Sequence, residues 1–192
     1  MTEAGRDRII AVGGAHIDRR GRVDVRFVPG ASNPGRMREE VGGGALNAAR
    51  MAAALGASVS LISVRGGDAA GEAVGAAVRR AGILDLSAVF LDRATPSYTA
   101  ILDSGGDVVA ALADMELYDI AFPRQMRRSR LREAIAAADA VLCDANLPAA
   151  ALETLCAAAG EKPVFAIAIS PAKAVRLAGL LGSLSALFMN AR

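Results

Sequence analysis

Short apolar segments alternate along this chain with alanine-rich segments of helical length. The segments typical of buried strands are 8–14, 58–64, 140–145, 163–169 and 185–190. The segments typical of helices are 45–55, 69–82, 129–138, 148–159 and 171–181. Strands that alternate with helices of this length form βαβ units, which build a parallel sheet flanked by helices. The order of segments therefore predicts an α/β fold.

Four further segments predict a smaller sheet outside this pattern. Segment 21–30 alternates apolar and polar residues, which is typical of a strand with one wet face, and 35–41 is its expected partner. Segments 97–103 and 107–113 are joined by Ser-Gly-Gly, a hairpin signal. We expect these strands to form a separate β-flap.

Composition excludes several classes of protein. The 192 residues carry a formal charge of +2, so we expect no nucleic-acid partner. The arginine-rich segment 124–132 is interpreted as either a solvated helix face or a nucleic-acid patch. Cys143 and Cys156 lack metal-ligand spacing, and one histidine does not complete a zinc site, so no metal site is predicted. Charged residues interrupt every long apolar run, and the N-terminal segment is not typical of a signal peptide, which predicts a cytoplasmic protein without membrane contact.

Three consecutive glycines, Gly42, Gly43 and Gly44, precede the helix at 45–55. Glycine costs backbone entropy, so three at a helix start indicate that backbone comes close to a phosphate, a sugar or a neighbouring strand. The stretch matches neither the GxGxxG fingerprint nor a P-loop. A neutral, hydroxylated ligand therefore fits better than a phosphate.

Polar residues next to the glycines are the candidate ligand-binding groups. Asp18 follows the first strand, where open α/β sheets bind ligands, and its carboxylate can accept hydrogen bonds from two sugar hydroxyls. Asn47 can both donate and accept. Alternatively, Asp18 caps a turn and Asn47 is a surface residue. For His16 a ligand-lining or packing role is favoured over that of a catalytic base, because the sequence shows no acid partner.

A second polar pair, Asp144 and Asn146, follows a predicted strand at 140–145. Both residues would lie at the cleft expected at the carboxyl ends of the strands. Stabilisation of a turn by their side chains is an equally good interpretation.

Several motifs together resemble the N-terminal two thirds of a ribokinase-like (PfkB-type) sugar kinase. They are VGGAHID (12–18), VGGGALNAARMAAALG (41–56), VRGGDAAGE (64–72) and ATPSYTAILDSGGDVVAALADM (94–115). Within that family, SNPG (32–35), SYTAILD (97–103), ADM (113–115) and VLCDANL (141–147) are most similar to pseudouridine kinases. The resemblance runs from about Arg8 to Arg192.

The resemblance implies a single Rossmann-like domain over 1–192 with a β-flap lid at about 21–41 and 97–113. It implies ATP and Mg²⁺ as cofactors, transfer to the 5′-hydroxyl of a sugar or nucleoside, and a homodimer formed through the lid. The substrate-binding residues that it implies are Asp18, His16, Gly43, Gly44, Asn47, Ser97 and Thr99.

The chain also departs from the family pattern. No DTxGAGD-like stretch, which carries the family's catalytic aspartate and anion-hole glycines, is present in the 192 residues. Asn190 would begin the NxxE motif associated with nucleotide and metal, but Arg192 precedes the glutamate position. Ile167 stands where an acidic residue is expected. We therefore expect a domain without its C-terminal part that is inactive alone. A sugar-binding pseudoenzyme and a subunit completed by another chain are the alternatives.

Overall fold

The structure is a computed structural model that describes residues 6–190. Its strands are β1 (Arg8–Val12), β2 (His16–Val23), β3 (Gly35–Gly42), β4 (Ser58–Ile62), β5 (Val64–Gly66), β6 (Leu84–Asp85), β7 (Ala88–Phe90), β8 (Ser97–Leu102), β9 (Val108–Asp114), β10 (Ala140–Asp144), β11 (Val164–Ile167) and β12 (Ala186–Phe188). Its helices are α1 (Gly44–Ala54), α2 (Ala69–Arg80), α3 (Glu116–Gln125), α4 (Ser129–Ala137), α5 (Ala149–Ala159) and α6 (Pro171–Ala174), followed by a 3₁₀ helix at Val175–Ser183.

Six parallel strands form the central sheet in the order β12-β11-β10-β1-β4-β6. Successive side chains of a strand point to opposite faces. Ile10 and Val12 of β1 accordingly pack in the cluster that includes α3, α4 and α5, whereas Ala11 packs in the cluster that includes α1 and α2. The sheet thus has a core on each face, and the predicted α/β fold is confirmed.

A separate four-stranded sheet, the lid sheet, has the order β3-β2-β8-β9. β2 pairs antiparallel with β3 and parallel with β8, and β8 forms the predicted hairpin with β9. Ile17 packs in the same cluster as residues of α1 and α2, which anchors the inner end of the lid sheet to the body. All residues of β9, by contrast, are exposed.

The strand predicted at 21–30 is wrong in its position. The structure has β2 at His16–Val23 instead, and it has no regular strand at residues 24–34. β2 and β3 are antiparallel, and their register ends where Val23 meets Gly35. Residues 24–30 therefore have no partner strand, and Val25 and Val28 are exposed despite their alternating pattern.

Two helical regions also differ from the prediction. Helix α3 was not predicted, because Pro123 lies inside it and interrupts the sequence pattern, yet it buries Tyr118 and Phe122 on one side. The predicted helix at 171–181 is one α-helical turn followed by the 3₁₀ helix. Gly179 lies in that second part, where glycine weakens the α-helical preference. In the described part of the chain, no helix combines the length and hydrophobicity that crossing a membrane requires.

Candidate substrate site

Two glycine turns pack against each other at the carboxyl end of the central sheet. Gly14 follows β1, and Gly43 precedes α1 with a φ of 111°, a conformation that favours glycine. A Cβ atom on Gly43 would overlap the carbonyl group of Gly14. The Leu46 N–H donates to that same carbonyl oxygen at 3.1 Å. Gly43 is therefore required for contact with neighbouring backbone, one of the three alternatives that the sequence left open.

Asp144, the last residue of β10, joins these turns to α1. Its Oδ2 accepts hydrogen bonds from the backbone N–H groups of Gly14 (3.0 Å) and Ala45 (2.8 Å). Asn146 adds its backbone N–H to Oδ1 at 2.9 Å and its side-chain amide to Oδ2 at 3.0 Å. The carboxylate thereby satisfies a free N–H in the first turn of α1, which has no side-chain cap of its own. Burial raises the pKa of Asp144, and the four N–H donors oppose that shift.

A basic group extends this cluster toward α6. Lys173 donates from Nζ to Oδ1 of Asn146, and Arg176 donates to the backbone oxygen of Asn146 at 3.1 Å. Arg176 also forms an ion pair with Asp119 of α3 at 3.1 Å. Burial lowers the pKa of the Lys173 amine. Asp144 and Asn146 therefore stabilise a turn, and they also connect β10 to α1 and α6.

Ile169 closes the glycine turn from the side of β11. Its φ is 67°, in the left-handed region that β-branched residues rarely adopt, and its side chain is partly exposed. A Cβ atom on Gly44 would overlap the Cδ1 atom of Ile169 and lie 2.8 Å from Oδ2 of Asp144. Ile167, at the position where an acid was expected, pairs in register with Asp144.

Asp18 lies on the first part of β2, where the lid sheet leaves the body. Its side chain is 23% exposed, and its Oδ1 lies 3.3 Å from Nε2 of the buried His16. A Cβ atom on Gly42 would overlap Oδ2 of Asp18, so this glycine leaves room for the carboxylate. His16 therefore has an acid partner that was not apparent from the sequence. The two residues are i and i+2 of one strand and lie on the same face, a signal that was present in the sequence.

Tyr118 of α3 is the functional candidate that sequence reasoning missed. Its phenol oxygen accepts the Ala15 N–H at 2.9 Å and lies 3.1 Å from Nδ1 of His16. Burial and the charge of Asp144 raise the pKa of Tyr118, whereas the hydrogen bond from the Ala15 N–H opposes that shift. No sequence signal connects Tyr118 to His16, because 102 positions separate them.

The lid register separates two predicted residues from Asp18. Ser97 pairs with Ile17 and Thr99 with Arg19, whereas Tyr98 pairs with Asp18. Paired residues of neighbouring strands project to the same face of a sheet. Ser97 and Thr99 consequently lie on the face opposite Asp18, and Tyr98 shares its face. The half-buried Tyr98 is therefore a lid residue that the sequence analysis overlooked.

The last two predicted residues are exposed. Asn47 lies in α1, where Nη1 of Arg50 approaches its Oδ1 at 3.5 Å, so its amide is largely free. Asn190 follows β12 and lines a cavity of about 180 Å³ together with Ile169 and Ser170, and Asp18 does not line that cavity. Within residues 6–190 no three His, Cys, Asp or Glu side chains group in a way that would hold a metal ion.

Comparison with known proteins identifies relatives of the chain. Residues 6–192 match the pfkB family carbohydrate kinase. The chain is 36% identical to the Escherichia coli (strain K12) protein named uncharacterized sugar kinase YeiI over 88% of its own length and 46% of the relative. It is 27% identical to the pseudouridine kinase of the same organism, with 96% and 59% coverage. The chain thus spans about half the length of these relatives.

Solved structures agree with this assignment. A carbohydrate kinase from Agrobacterium tumefaciens superposes with a TM-score of 0.87 at 54% identity, covering 96% of this chain and 61% of that one. Arabidopsis thaliana ribokinase, solved with ribose and ATP, shares the fold at a TM-score of 0.82 with 20% identity, covering 97% and 61%. Together with the order of strands and the lid sheet, these matches show that the chain belongs to the pfkB family of carbohydrate kinases.

Proposed function

We propose that this chain forms the sugar-binding part of an ATP-dependent kinase that phosphorylates the 5′-hydroxyl of a ribosyl substrate, with pseudouridine as the first candidate. The observation that carries the proposal is the carboxylate of Asp18, which is partly exposed at the base of the lid sheet beside Gly42. A carboxylate in that position can accept hydrogen bonds from two adjacent sugar hydroxyls. Asp144, which accepts hydrogen bonds from the glycine turns, is fully buried and not open to a ligand in the same way.

The neighbouring groups have complementary roles in this proposal. The backbone of Gly43 and Gly44 lies against the ribose, and the exposed amide of Asn47 adds a hydrogen bond. The lid sheet covers the sugar and excludes water, which protects ATP from hydrolysis. The choice of pseudouridine is supported by the motifs of the sequence and by the named pseudouridine kinase among the relatives.

Phosphate transfer itself depends on residues that position the nucleotide and stabilise charge. We propose ATP and Mg²⁺ as cofactors, as in the family, with Asn190 near the nucleotide. These 192 residues contain no DTxGAGD-like stretch, so we expect the chain alone to bind substrate without transferring phosphate. The same observation favours a second candidate, a nucleoside-binding protein without transferase activity.

The lid sheet also supports a proposal about assembly and location. Strand β9 is exposed throughout and forms one edge of the sheet, with Leu112 at 70% exposure. An exposed apolar edge strand is a template for pairing with another chain. We propose that two copies pair through their lid sheets, which sedimentation of the purified chain would measure. We infer a cytoplasmic location, where ATP is available, and no nucleic-acid partner.

Calorimetric titration with pseudouridine, uridine and ribose tests the function. We expect saturable binding of pseudouridine by the unmodified chain and its loss in Asp18→Ala. Asp24→Ala is the matched control, because it removes the same charge from the exposed loop that follows the same strand. Binding that survives Asp18→Ala unchanged contradicts the proposed site.

An ATP-coupled assay of the same preparation distinguishes the two candidate functions. We expect no pseudouridine 5′-phosphate from the 192-residue chain with ATP and Mg²⁺. A protein that combines these residues with a DTxGAGD-like stretch should transfer phosphate if the kinase proposal is correct. Nucleoside binding without transfer in that protein would favour the second candidate.

A further inference from the structure

His16 is held between two side chains of different elements. Tyr118 of α3 lies 3.1 Å from its Nδ1, and Asp18 of β2 lies 3.3 Å from its Nε2. The imidazole is buried, and both ring nitrogens have protein partners. Neither nitrogen is therefore free for a direct hydrogen bond to a ligand.

The proton positions follow from the donors and acceptors around the ring. The Tyr118 oxygen already accepts the Ala15 N–H, so its own proton is available to a further acceptor. Burial and the negative charge of Asp144 keep the phenol protonated by raising the pKa of Tyr118. Nδ1 of a neutral His16 then accepts from the phenol, and the single ring proton lies on Nε2, facing Asp18.

We propose that His16 is a positioning residue, which donates from Nε2 to Asp18 and so orients its carboxylate toward the hydroxyl pair of a polyol, while Tyr118 fixes the tautomer. This inference rests on the proposed function. One carboxylate oxygen is held by the ring, and both oxygens keep lone pairs for sugar hydroxyls. A carboxylate that is already ordered loses less side-chain freedom when the ligand binds.

The arrangement also connects three segments that meet at the base of the lid sheet. Ala15 comes from the turn after β1, His16 and Asp18 from the lid strand β2, and Tyr118 from α3, the helix that begins shortly after the last lid strand. The first lid strand in the chain and the helix that follows the last one are thereby linked through the same imidazole. The orientation of Asp18 consequently depends on how α3 packs against the body.

Imidazole NMR tests the proton arrangement without any ligand. His16 is the one histidine in the sequence, so a ¹⁵N-labelled sample gives a single ring to interpret. We expect the neutral ring to carry its proton on Nε2. Tyr118→Phe should remove the hydrogen bond to Nδ1 and shift that nitrogen resonance. An Nδ1–H tautomer in the unmodified chain overturns the proposal, and this measurement requires no variant to fold.

Substitutions of His16 test the effect on binding. His16→Leu removes the donor at similar bulk, and we expect the dissociation constant for pseudouridine to rise about 3- to 10-fold. His16→Gln restores an N–H near the position of Nε2 and should bind like the unmodified chain. A purely structural role of the ring would not predict this rescue. The urea midpoint of each variant shows whether it is folded.

The outcomes separate this proposal from the proposed function. If Asp18→Ala abolishes binding but His16→Leu binds normally, the positioning role is wrong and the sugar site stands. If Asp18→Ala binds like the unmodified chain, the sugar site is wrong, and the positioning role falls with it even where NMR finds the Nε2–H tautomer. Weaker binding of pseudouridine by His16→Leu, together with normal binding by His16→Gln, supports both the sugar site and the positioning role of His16.

Discussion

Asp18 and Asp144 lie in the same part of the molecule but differ in what surrounds them. Asp144 is fully buried and accepts four hydrogen bonds from backbone and amide N–H groups. Asp18 is partly exposed, and among the described residues its carboxylate forms an ion pair only with His16. The protein thus uses all of the hydrogen-bonding capacity of one carboxylate and leaves most of the other unused.

The difference teaches how to separate structural from ligand-binding carboxylates at one site. A buried charge requires donors, and the glycine turns and Asn146 supply them to Asp144, which leaves this carboxylate without exposure to a ligand. A carboxylate with free lone pairs and access to solvent can bind hydroxyls. We therefore expect substitution of Asp144 to affect folding and substitution of Asp18 to affect binding.

The largest expected effect is the loss of stability in Asp144→Ala. Four N–H donors would lose their acceptor in the interior, which should lower the free energy of unfolding by about 3–5 kcal/mol. Asp144→Asn should also lower the free energy of unfolding, because the NH₂ group of the new amide would face at least one of these N–H groups and could not accept its hydrogen bond. Urea unfolding measures both variants. Asp18→Ala is the comparison, with an expected change below about 1 kcal/mol, and equal losses at the two positions would contradict the distinction.

A smaller effect is expected from Gly43→Ala. The added Cβ would meet the Gly14 carbonyl at a φ of 111°, so we expect a loss of about 2–4 kcal/mol from strain and overlap together. Gly56→Ala is a matched control with a φ of 97° and nothing within 4 Å of the added Cβ. It should cost about 1 kcal/mol from the backbone conformation alone. Similar losses for the two variants would show that contact between the glycine turns is unimportant.

The smallest effect concerns a third, more exposed aspartate, Asp139. Hydrogen bonds from the Arg8 side chain and backbone lower the pKa of Asp139 to about 2. The unfolded value is about 3.9, so this contribution is present above pH ~4 and is lost as the pH falls toward 2. Asp139→Asn should make the decline of stability between pH 4 and 2 slightly shallower. Thermal unfolding of the two proteins between pH 4 and 2 measures this difference. An identical decline of the melting temperature in both would show that this surface pair has no effect.

Several features of the site could be predicted from local sequence. The glycine run, the strand before Asp18 and the helix after Gly44 all follow from patterns within a few residues. The contact of His16 with Asp18 was also accessible, since i and i+2 of a strand share a face. The error at 21–30 arose because alternation indicates a strand only when a partner continues alongside it. Tyr98 was overlooked for a related reason, because the face of a residue depends on register.

The sequence by itself determined the alternation of core strands with helices, the parallel sheet and the glycine motifs, because each depends on periodicity or on residues close in the chain. Only the tertiary structure decided which aspartate is buried and which is free. Asp144 meets Gly14 across 130 positions, and Tyr118 meets His16 across 102. Such contacts arise from the way β10 and α3 pack beside β1 and the lid sheet, and no local pattern encodes that packing.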